Sequence, residues 1–286
     1  YNIIMKKINK AIIPVAGLGT RFLPITKSVP KPLLPVINKP IIEYAVREAS
    51  ELGINEIALV ISPRMAEVPE YFNFQHEYIS ELKKRDNIDN LNLLKSISNL
   101  AKITTLIQND PIGPGDAILK AKDFCNNESF LVIFPDDLIF NNVSASSQIL
   151  SDYYNFGHSV IALTKIETSQ IPFKGIVEMV EYKKSHKIIN VIEKPSLEEA
   201  PSDISILGRY IFTSEIFNFL EKCENEVNGE FQITDAIQML IKNSVVLGNL
   251  IHGYHADTGT PEGMLRAIIK TAKSDPQLKK VIDELI

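Results

Sequence analysis

A short apolar segment that leads directly into a glycine turn constrains the fold of this chain most. Residues 11–15 read AIIPV, and the turn AGLGT follows at once at residues 16–20. Continuous apolar runs of this length are typical of strands that are buried on both faces of a parallel sheet. We therefore predict a buried strand whose carboxyl end carries a glycine-rich binding loop.

The segments that follow alternate between strand and helix patterns. Apolar runs predict further strands at residues 56–61, 103–107, 129–134, 160–165, 176–180, 187–193 and 206–212. Helical spacing of apolar residues predicts helices at residues 40–52 and 115–125. Strands that alternate with helices favour a Rossmann-like, three-layer α/β fold with a mixed, mainly parallel central sheet.

Two segments depart from this alternation. Residues 63–102 are long, polar and helical in character, which predicts a helical insertion over the sheet. Residues 261–286 predict one or two amphipathic helices that close the chain. With no linker or repeat between them, we expect residues 1–286 to form one domain with lobes.

Composition limits the partners that this chain can bind. The net charge of −5 gives no reason to expect nucleic acid or an anionic membrane as a partner. Anionic substrates would then need local cations. Two cysteines make no disulfide framework, and with five scattered histidines they show no zinc-binding spacing. No apolar run is long enough to span a bilayer and no secretory signal is recognisable, so we expect a cytoplasmic protein. Met5 could be the initiator, with residues 1–4 left from an earlier start.

The glycine turn indicates a phosphate-binding loop. Backbone N–H groups in such a turn can point at phosphate oxygens, and Arg21 and Lys31 follow with positive charge. Phe22 occupies the third position of a dinucleotide-binding motif, where a small residue is needed, and no Walker sequence occurs. The alternative is that Gly17 and Gly19 only form a tight turn.

Carboxylates and an amide stand at the predicted ends of other strands. Asp136 and Asp137 directly follow strand 129–134, which favours Mg²⁺ held together with substrate phosphates, and Asp257 is a second candidate ligand. The alternative for Asp136 and Asp137 is a turn or a helix N-cap. Gln108 follows strand 103–107, where its amide offers both a donor and an acceptor to a base.

Glu193 and Lys194 end the predicted strand 187–193. A carboxylate can accept bonds from sugar hydroxyls, and a lysine can bind a sugar phosphate. Because successive side chains of a strand point to opposite faces, the pair can share a ligand only if the strand ends or bulges there. Pro195 favours that ending. The alternative is an ordinary surface charge pair.

Taken in order along the chain, these motifs resemble the sugar-phosphate nucleotidyltransferase family. The resemblance begins with GLGTR at residues 17–21 and VPKPLLP at residues 29–35. It continues through FPDD at 134–137, GIVE at 175–178, EKP at 193–195, GRY at 208–210, GEFQITDAI at 229–237 and DTG at 257–259. Each motif is short, but the ordered set spans nearly the whole chain.

The resemblance implies transfer of the uridylyl group of UTP to glucose 1-phosphate, with Mg²⁺ as cofactor, in a homodimer or homotetramer. It implies that Asp136 and Asp257 bind the metal and that Arg21, Lys31 and Lys194 are catalytic. It places the sugar phosphate against Gly175, Glu193 and Lys194. It places the nucleotide against Ala16, Gly17, Leu18, Gly19, Thr20, Gln108 and Gly113. Ile112 and Asp116 depart from the basic residue and histidine that are common in the family's loop.

Two other functions remain open on the sequence. One is thymidylyl transfer to the same sugar phosphate, and the other is a non-catalytic homologue that only binds sugar nucleotides. The five histidines form no catalytic triad. None is needed if the nucleophile is a phosphate, because its second pKa is about 6 and it is already largely dianionic near neutral pH.

Overall fold

The apolar segments of the sequence lie side by side in a nine-stranded sheet. The computed structural model describes residues 7–74, 77–223 and 230–285. Its strands are β1 (Lys10–Pro14), β2 (Pro35–Val36), β3 (Lys39–Pro40), β4 (Glu56–Ile61), β5 (Lys102–Ile107), β6 (Phe130–Ile133), β7 (Asp137–Phe140), β8 (Ser159–Lys165), β9 (Gly175–Tyr182), β10 (Ser185–Glu193), β11 (Ile204–Phe212), β12 (Val246–Leu250) and β13 (Tyr254–Asp257). Its helices are α1 (Ile41–Glu51), α2 (Glu67–Glu70), α3 (Glu77–Lys84), α4 (Ile88–Ser98), α5 (Pro114–Leu119), α6 (Lys122–Cys125), α7 (Ala145–Phe156), α8 (Ile216–Leu220), α9 (Ile233–Asn243), α10 (Pro261–Ser274) and α11 (Pro276–Leu285).

The strands of the large sheet lie in the order β5-β4-β1-β6-β11-β8-β12-β10-β9. Strands β5, β4, β1 and β6 are mutually parallel, and β8 is parallel to β12. Strands β10 and β11 run against their neighbours. The sheet is therefore mixed, and most strands share one direction, as the sequence predicts. The carboxyl ends of the four parallel strands meet at one edge, where ligands collect in open α/β sheets.

Helices cover both faces of the sheet because its strands alternate between two apolar clusters. Ile12 of β1 packs with α5, α8 and α9 on one face. Ala11 and Ile13 pack with α1, α2, α4 and α7 on the other face. All five residues of β1 are buried. This arrangement confirms the predicted three-layer α/β fold.

The described residues of the segment 63–102, where an insertion is predicted, form three helices, α2, α3 and α4. Val68 of α2 and Ile97 of α4 join the apolar cluster on the α1 side of the sheet. The hydroxyl of Tyr71 donates to the carboxylate of Glu43 on α1. These contacts place the insertion over that face.

Helix α10 supports a small second sheet. Strands β7 and β13 pair in antiparallel fashion, with Asp137 opposite Asp257. Helix α10 packs Met264 and Ala267 against the apolar side chains of this pair. The C-terminal segment thus forms two helices and holds two of the candidate site carboxylates in register.

The structure corrects several predicted elements. The single helix predicted at residues 115–125 is two short helices, α5 and α6. Asp137 begins strand β7, which excludes the alternative that it caps a helix. Strands β2, β3, β7, β12 and β13 and helices α7, α8 and α9 have no counterpart among the predicted elements. All eight predicted strands are present, and their ends agree with the structure to within two residues.

Some predictions lie outside the described residues. These are the possible start at Met5, the origin of residues 1–4 and the first position of the motif at residues 229–237, Gly229. Among the described residues, no helix combines the length and apolar character needed to cross a bilayer. Cys125 is buried, Cys223 is half-buried, and both are free thiols.

Candidate active site

A cavity of about 470 Å³ lies where the carboxyl ends of β1, β5 and β6 meet. Nine predicted site residues line it, namely Ala16, Gly17, Arg21, Lys31, Gln108, Gly113, Asp136, Glu193 and Lys194. Gly175 lines an adjoining cavity of about 200 Å³ that shares Asp136 and Glu193 with the first. Leu18, Gly19 and Thr20 lie in the loop beside the larger cavity, where Leu18 and Thr20 face solvent.

The glycine loop combines a constrained turn with an open backbone. Gly19 has a φ of +66°, and a Cβ at this position would lie only 2.9 Å from the Cβ of Lys31. The hydroxyl of Thr26 donates to the Gly19 carbonyl at 2.9 Å. A Cβ at Gly17 would meet nothing within 4 Å. The turn therefore requires glycine at residue 19 and leaves the backbone of Gly17 free to approach a ligand.

The two predicted cations behave differently. The ammonium of Lys31 lies 2.5 Å from Oδ2 of Asp136, and both side chains are less than one third exposed. The guanidinium of Arg21 is exposed, lines the cavity and makes no ion pair with any described residue. Lys31 is thus held at a carboxylate, whereas Arg21 is available to an incoming anion.

The side-chain amide of Gln108 makes more hydrogen bonds within the protein than its sequence position suggests. Its side chain is only 2% exposed, and Nε2 donates to the Gly113 carbonyl at 3.0 Å and to Oδ2 of Asp116 at 2.8 Å. The prediction that both its donor and its acceptor face a base is therefore wrong, and Oε1 is the group left for a ligand. Asp116 is buried and also pairs with Lys120 at 3.5 Å, so its charge is neutralised locally.

Gly113 lies where another chain segment passes very close. Its φ is +134°, and a Cβ would lie 2.4 Å from the Phe231 carbonyl oxygen. The N–H of Phe231 donates to the Ile112 carbonyl at 2.5 Å, and the N–H of Gly115 donates to the Phe231 carbonyl at 2.9 Å. These bonds fix the loop before α5 against the segment that precedes α9, which explains why glycine is needed here.

Glu193 and Lys194 both reach the cavity because the strand ends between them. Strand β10 ends at Glu193, and Lys194 has a φ of +48°, which lies in the left-handed region. The backbone reversal lets consecutive side chains line one site, where their charges lie 3.6 Å apart. The hydroxyl of Thr234 donates to Oε2 of Glu193 at 3.1 Å, and a Cβ at Gly175 would lie 3.2 Å from that same oxygen.

Asp136 and Asp257 face one another across Gly259. Asp257 Oδ1 and Asp136 Oδ2 lie 2.8 Å and 3.1 Å from the position that a Cβ would take at Gly259. A larger residue there would fill the space between the carboxylates. The N–H and hydroxyl of Thr258 donate to the Asp136 carbonyl at 2.7 Å and 2.8 Å, which ties the two segments together.

This pair of carboxylates fits a hard divalent cation. Among the described residues, no group of three or more His, Cys, Asp or Glu side chains is arranged to hold a metal ion. Mg²⁺ is commonly held by one or two carboxylates with the remaining ligands from substrate phosphates and water. Asp136 and Asp257 supply that minimum, next to a cavity that is lined by the three predicted phosphate-binding cations Arg21, Lys31 and Lys194.

Lys174 is a site residue that the sequence analysis missed. Its ammonium lies 2.9 Å from Oδ2 of Asp257 and lines the smaller cavity. Burial alone would lower the pKa of Lys174, but the carboxylates of Asp137, Asp257 and Asp136 raise it. The side chain therefore stays charged. Its only sequence signal is its place directly before Gly175.

Asp137 has a structural role beside the predicted metal pair. Its Oδ1 lies 2.5 Å from Nε2 of His255, and its Oδ2 accepts the Gly208 N–H at 3.0 Å. Burial alone would raise the pKa of Asp137, but His255, Lys174 and Arg209 hold that pKa far below its ordinary value. Asp137 is thus an ionised, fully bonded carboxylate that joins β7, β11 and β13.

Arg209 fixes the backbone on both sides of Asp136. Its side chain is 1% exposed, Nη1 donates to the Phe134 carbonyl at 2.9 Å, and Nη2 donates to the Asp137 carbonyl at 3.0 Å. Nη2 of Arg209 also donates to Oε2 of Glu48 on α1 at 2.8 Å. Burial alone would raise the pKa of Glu48, but Arg209 and Ser146 lower it, so the buried pair is ionised.

Known proteins resemble this chain over nearly its whole length. A family model described as nucleotidyl transferase matches residues 10–274. A protein of Staphylococcus haemolyticus named UTP–glucose-1-phosphate uridylyltransferase is 38% identical over 283 residues, which are 99% of this chain and 97% of that protein.

Two solved structures extend the similarity to three dimensions. A UDP-glucose pyrophosphorylase complexed with UDP-glucose superposes with a TM-score of 0.85 and 31% identity, over 94% of this chain and 100% of that one. The UTP-bound enzyme of Acinetobacter baumannii superposes with a TM-score of 0.88 and 32% identity, over 98% of each chain. These similarities span nearly the whole chain, and they confirm that it belongs to the nucleotidyl transferase family.

Proposed function

We propose that this protein transfers the uridylyl group of UTP to α-D-glucose 1-phosphate, giving UDP-glucose and pyrophosphate. The observation that carries the proposal is one cavity lined by a glycine loop with Arg21 and Lys31, and also by Glu193 and Lys194. A nucleoside triphosphate and a sugar phosphate would meet there between two sets of cations. The names of the similar proteins support the same reaction.

The nucleotide would bind between the glycine loop and the start of α5. Oε1 of Gln108 can accept the N3–H of a uracil, because Nε2 is already used within the protein. Backbone N–H groups of Ala16 and Gly17 can donate to oxygens of the nucleotide. Arg21 and Lys31 would neutralise the triphosphate.

The sugar phosphate would bind on the side of β9 and β10. The Glu193 carboxylate can accept bonds from sugar hydroxyls, and Lys194 can bind the phosphate as a compact charge. Gly175 has no side chain, so its backbone could pass close to the sugar ring. A Cβ at this position would already be in contact with Thr234 and Glu193.

The reaction needs alignment and charge neutralisation more than proton transfer. A phosphate oxygen of glucose 1-phosphate would attack the α-phosphorus of UTP in line, and the bond to the β-phosphate would break as pyrophosphate leaves. The attacking phosphate is largely dianionic near neutral pH, because its second pKa is about 6. Arg21 and Lys31 would stabilise the charge that develops on the leaving pyrophosphate.

Nucleotidyltransferases of this family generally use a divalent metal. We propose that the metal is Mg²⁺ and that Asp136 and Asp257 hold it. The ion would act as a Lewis acid and template at the phosphates. We also propose that the chain forms a homodimer or homotetramer, which light scattering of the purified protein would measure.

We expect UTP to be the preferred substrate, dTTP the next best and purine triphosphates poor. The base-side pocket offers one buried amide oxygen in a fixed position, and a site built for one base edge rejects partners that leave its groups unpaired. Pyrophosphate release with glucose 1-phosphate should be measured for UTP, dTTP, CTP, GTP and ATP. We expect kcat/KM for the purines to be at least about tenfold below that for UTP.

The same assay separates the rival functions. Equal kcat/KM for GTP or ATP and UTP would mean that the base pocket is assigned wrongly. A clear preference for dTTP would identify thymidylyl transfer instead. Binding of UDP-glucose without any turnover would identify a non-catalytic protein.

We expect Lys194→Ala to raise KM for glucose 1-phosphate far more than KM for UTP. The loss of a charge-assisted bond to phosphate costs about 1.5–3 kcal/mol, which corresponds to about ten- to a hundredfold. Steady-state kinetics with each substrate varied in turn would measure this. Lys165→Ala is a matched control, because Lys165 is 76% exposed and pairs with Asp203 at the surface. An equal loss for both substrates would assign Lys194 a structural role.

A further inference from the structure

The metal-site carboxylates already have cations in the protein itself. Lys31 pairs with Asp136 at 2.5 Å, and Lys174 pairs with Asp257 at 2.9 Å. The Lys174 side chain is 28% exposed and lines the smaller cavity, so it is partly desolvated but still open to that cavity. Each of the two carboxylates assigned to the metal is therefore neutralised by a lysine when no metal is bound.

Lys174 also lies on the side of the cavity assigned to the sugar phosphate. It lines the smaller cavity together with Gly175, Glu193 and Thr234. The N–H of Lys194 donates to the Lys174 carbonyl at 3.0 Å, so the two lysines leave the backbone at the same place. Lys174 is thus in contact with Asp257 through its ammonium and with the backbone of Lys194 through its carbonyl.

We propose that Lys174 is a resident cation of the metal site, which holds Asp257 until a divalent ion takes that carboxylate and is then released towards the phosphate of the sugar phosphate. The proposal rests on the proposed function, because it takes Asp257 as a metal ligand. The ammonium held at Oδ2 of Asp257 and a divalent ion on the same carboxylate repel each other, so the two cations compete for it.

The exchange has two consequences. Lys174 competes with the metal, so metal binding is weaker than the two carboxylates alone would allow. A sugar phosphate that binds the released Lys174 ammonium removes this competitor from Asp257 and so strengthens metal binding. By thermodynamic linkage, the metal then strengthens the binding of the sugar phosphate to the same degree. Lys174 would thereby couple the two ligands without touching the base.

The test is the affinity for Mn²⁺ in the absence of substrates, measured by electron paramagnetic resonance. We expect Lys174→Met to bind Mn²⁺ about tenfold more tightly than the wild type, because a competing charge is gone. Lys174→Arg keeps the charge and should bind Mn²⁺ like the wild type. Lys165→Met is the matched surface control and should change nothing. Asp257→Asn should lose most of the affinity.

A second readout is thermal stability in EDTA. Without Lys174, the carboxylates of Asp136, Asp137 and Asp257 lose a shared counter-charge. We therefore expect the Tm of Lys174→Met to fall by about 2–4 °C, and we expect Mn²⁺ to restore it. A merely structural role would lower the Tm without raising metal affinity. The Tm also shows that the variant is folded where the affinity is measured.

The outcomes separate this proposal from the proposed function. If Asp257→Asn loses Mn²⁺ but Lys174→Met binds it no more tightly than the wild type, the resident cation is refuted and the metal site stands. Weaker binding by Lys174→Met would refute it as well, because Lys174 would then support the metal. If Asp257→Asn binds Mn²⁺ like the wild type, both the metal assignment and this proposal are wrong.

Discussion

Asp136→Asn should keep the fold and lower kcat by about 10²-fold or more. The side chain is nearly isosteric, and its amide oxygen can still accept from Lys31. The loss should come from the reaction, since a neutral amide binds a divalent ion much less well than a carboxylate does. The measurement is kcat for UDP-glucose formation, with circular dichroism to confirm folding.

Removal of the divalent metal by a chelator tests the same metal site independently of the variant. EDTA should abolish turnover of the wild type, and added Mg²⁺ should restore it. Asp203→Asn is the matched control, because it removes a carboxylate from an exposed pair with Lys165. A folded Asp136→Asn variant with near-native, chelator-resistant activity would rule out the proposed metal site and the mechanism that depends on it.

The parts of the fold that local patterns determine could be predicted from the sequence. Strand β1 and its glycine turn follow from one uninterrupted apolar run, and seven further strands follow from similar runs. Strands β12 and β13 were missed because neither is a clean apolar run. Their residues include Asn249 and His255, and strand β13 is stabilised by its pairing with β7.

Three of the predicted site residues, Gln108, Asp136 and Glu193, lie at or just beyond the end of a recognisable strand. The condition for Glu193 and Lys194 to share a site was also predictable, because alternation requires the strand to end between them. The positive φ of Lys194 satisfies that condition. The hydrogen bonds that the Gln108 amide makes were not predictable, because the packing of α5 in the folded structure places Gly113 and Asp116 beside it.

Long-range charge pairs had no sequence signal. Lys174 and Asp257 are 83 residues apart, and Glu48 and Arg209 are 161 residues apart. Glu48 stands in an amphipathic helix pattern that is equally compatible with exposure. The arrangement of helices over the sheet decides which charged residues become buried, and no local pattern reports that arrangement.

The buried pair of Glu48 and Arg209 leads to the largest expected effect on stability. We expect Arg209→Met to lower the free energy of unfolding by about 3–5 kcal/mol, because it leaves the Glu48 carboxylate buried without its cation. It also removes the donors to the Phe134, Gly208 and Asp137 carbonyls. Urea unfolding of wild type and variant would measure the change.

The controls for Arg209→Met separate burial from charge. Arg266→Met removes an exposed pair with Glu262 and should change the free energy of unfolding by less than about 0.5 kcal/mol. Adding Glu48→Met to Arg209→Met should recover part of the loss, since no unpaired buried charge remains. Activity should stay low in the double variant, because Asp136 lies between the Phe134 and Asp137 carbonyls, which both lose their bonds to Arg209. A stability loss for Arg209→Met below about 1 kcal/mol would show that Glu48 is satisfied without it.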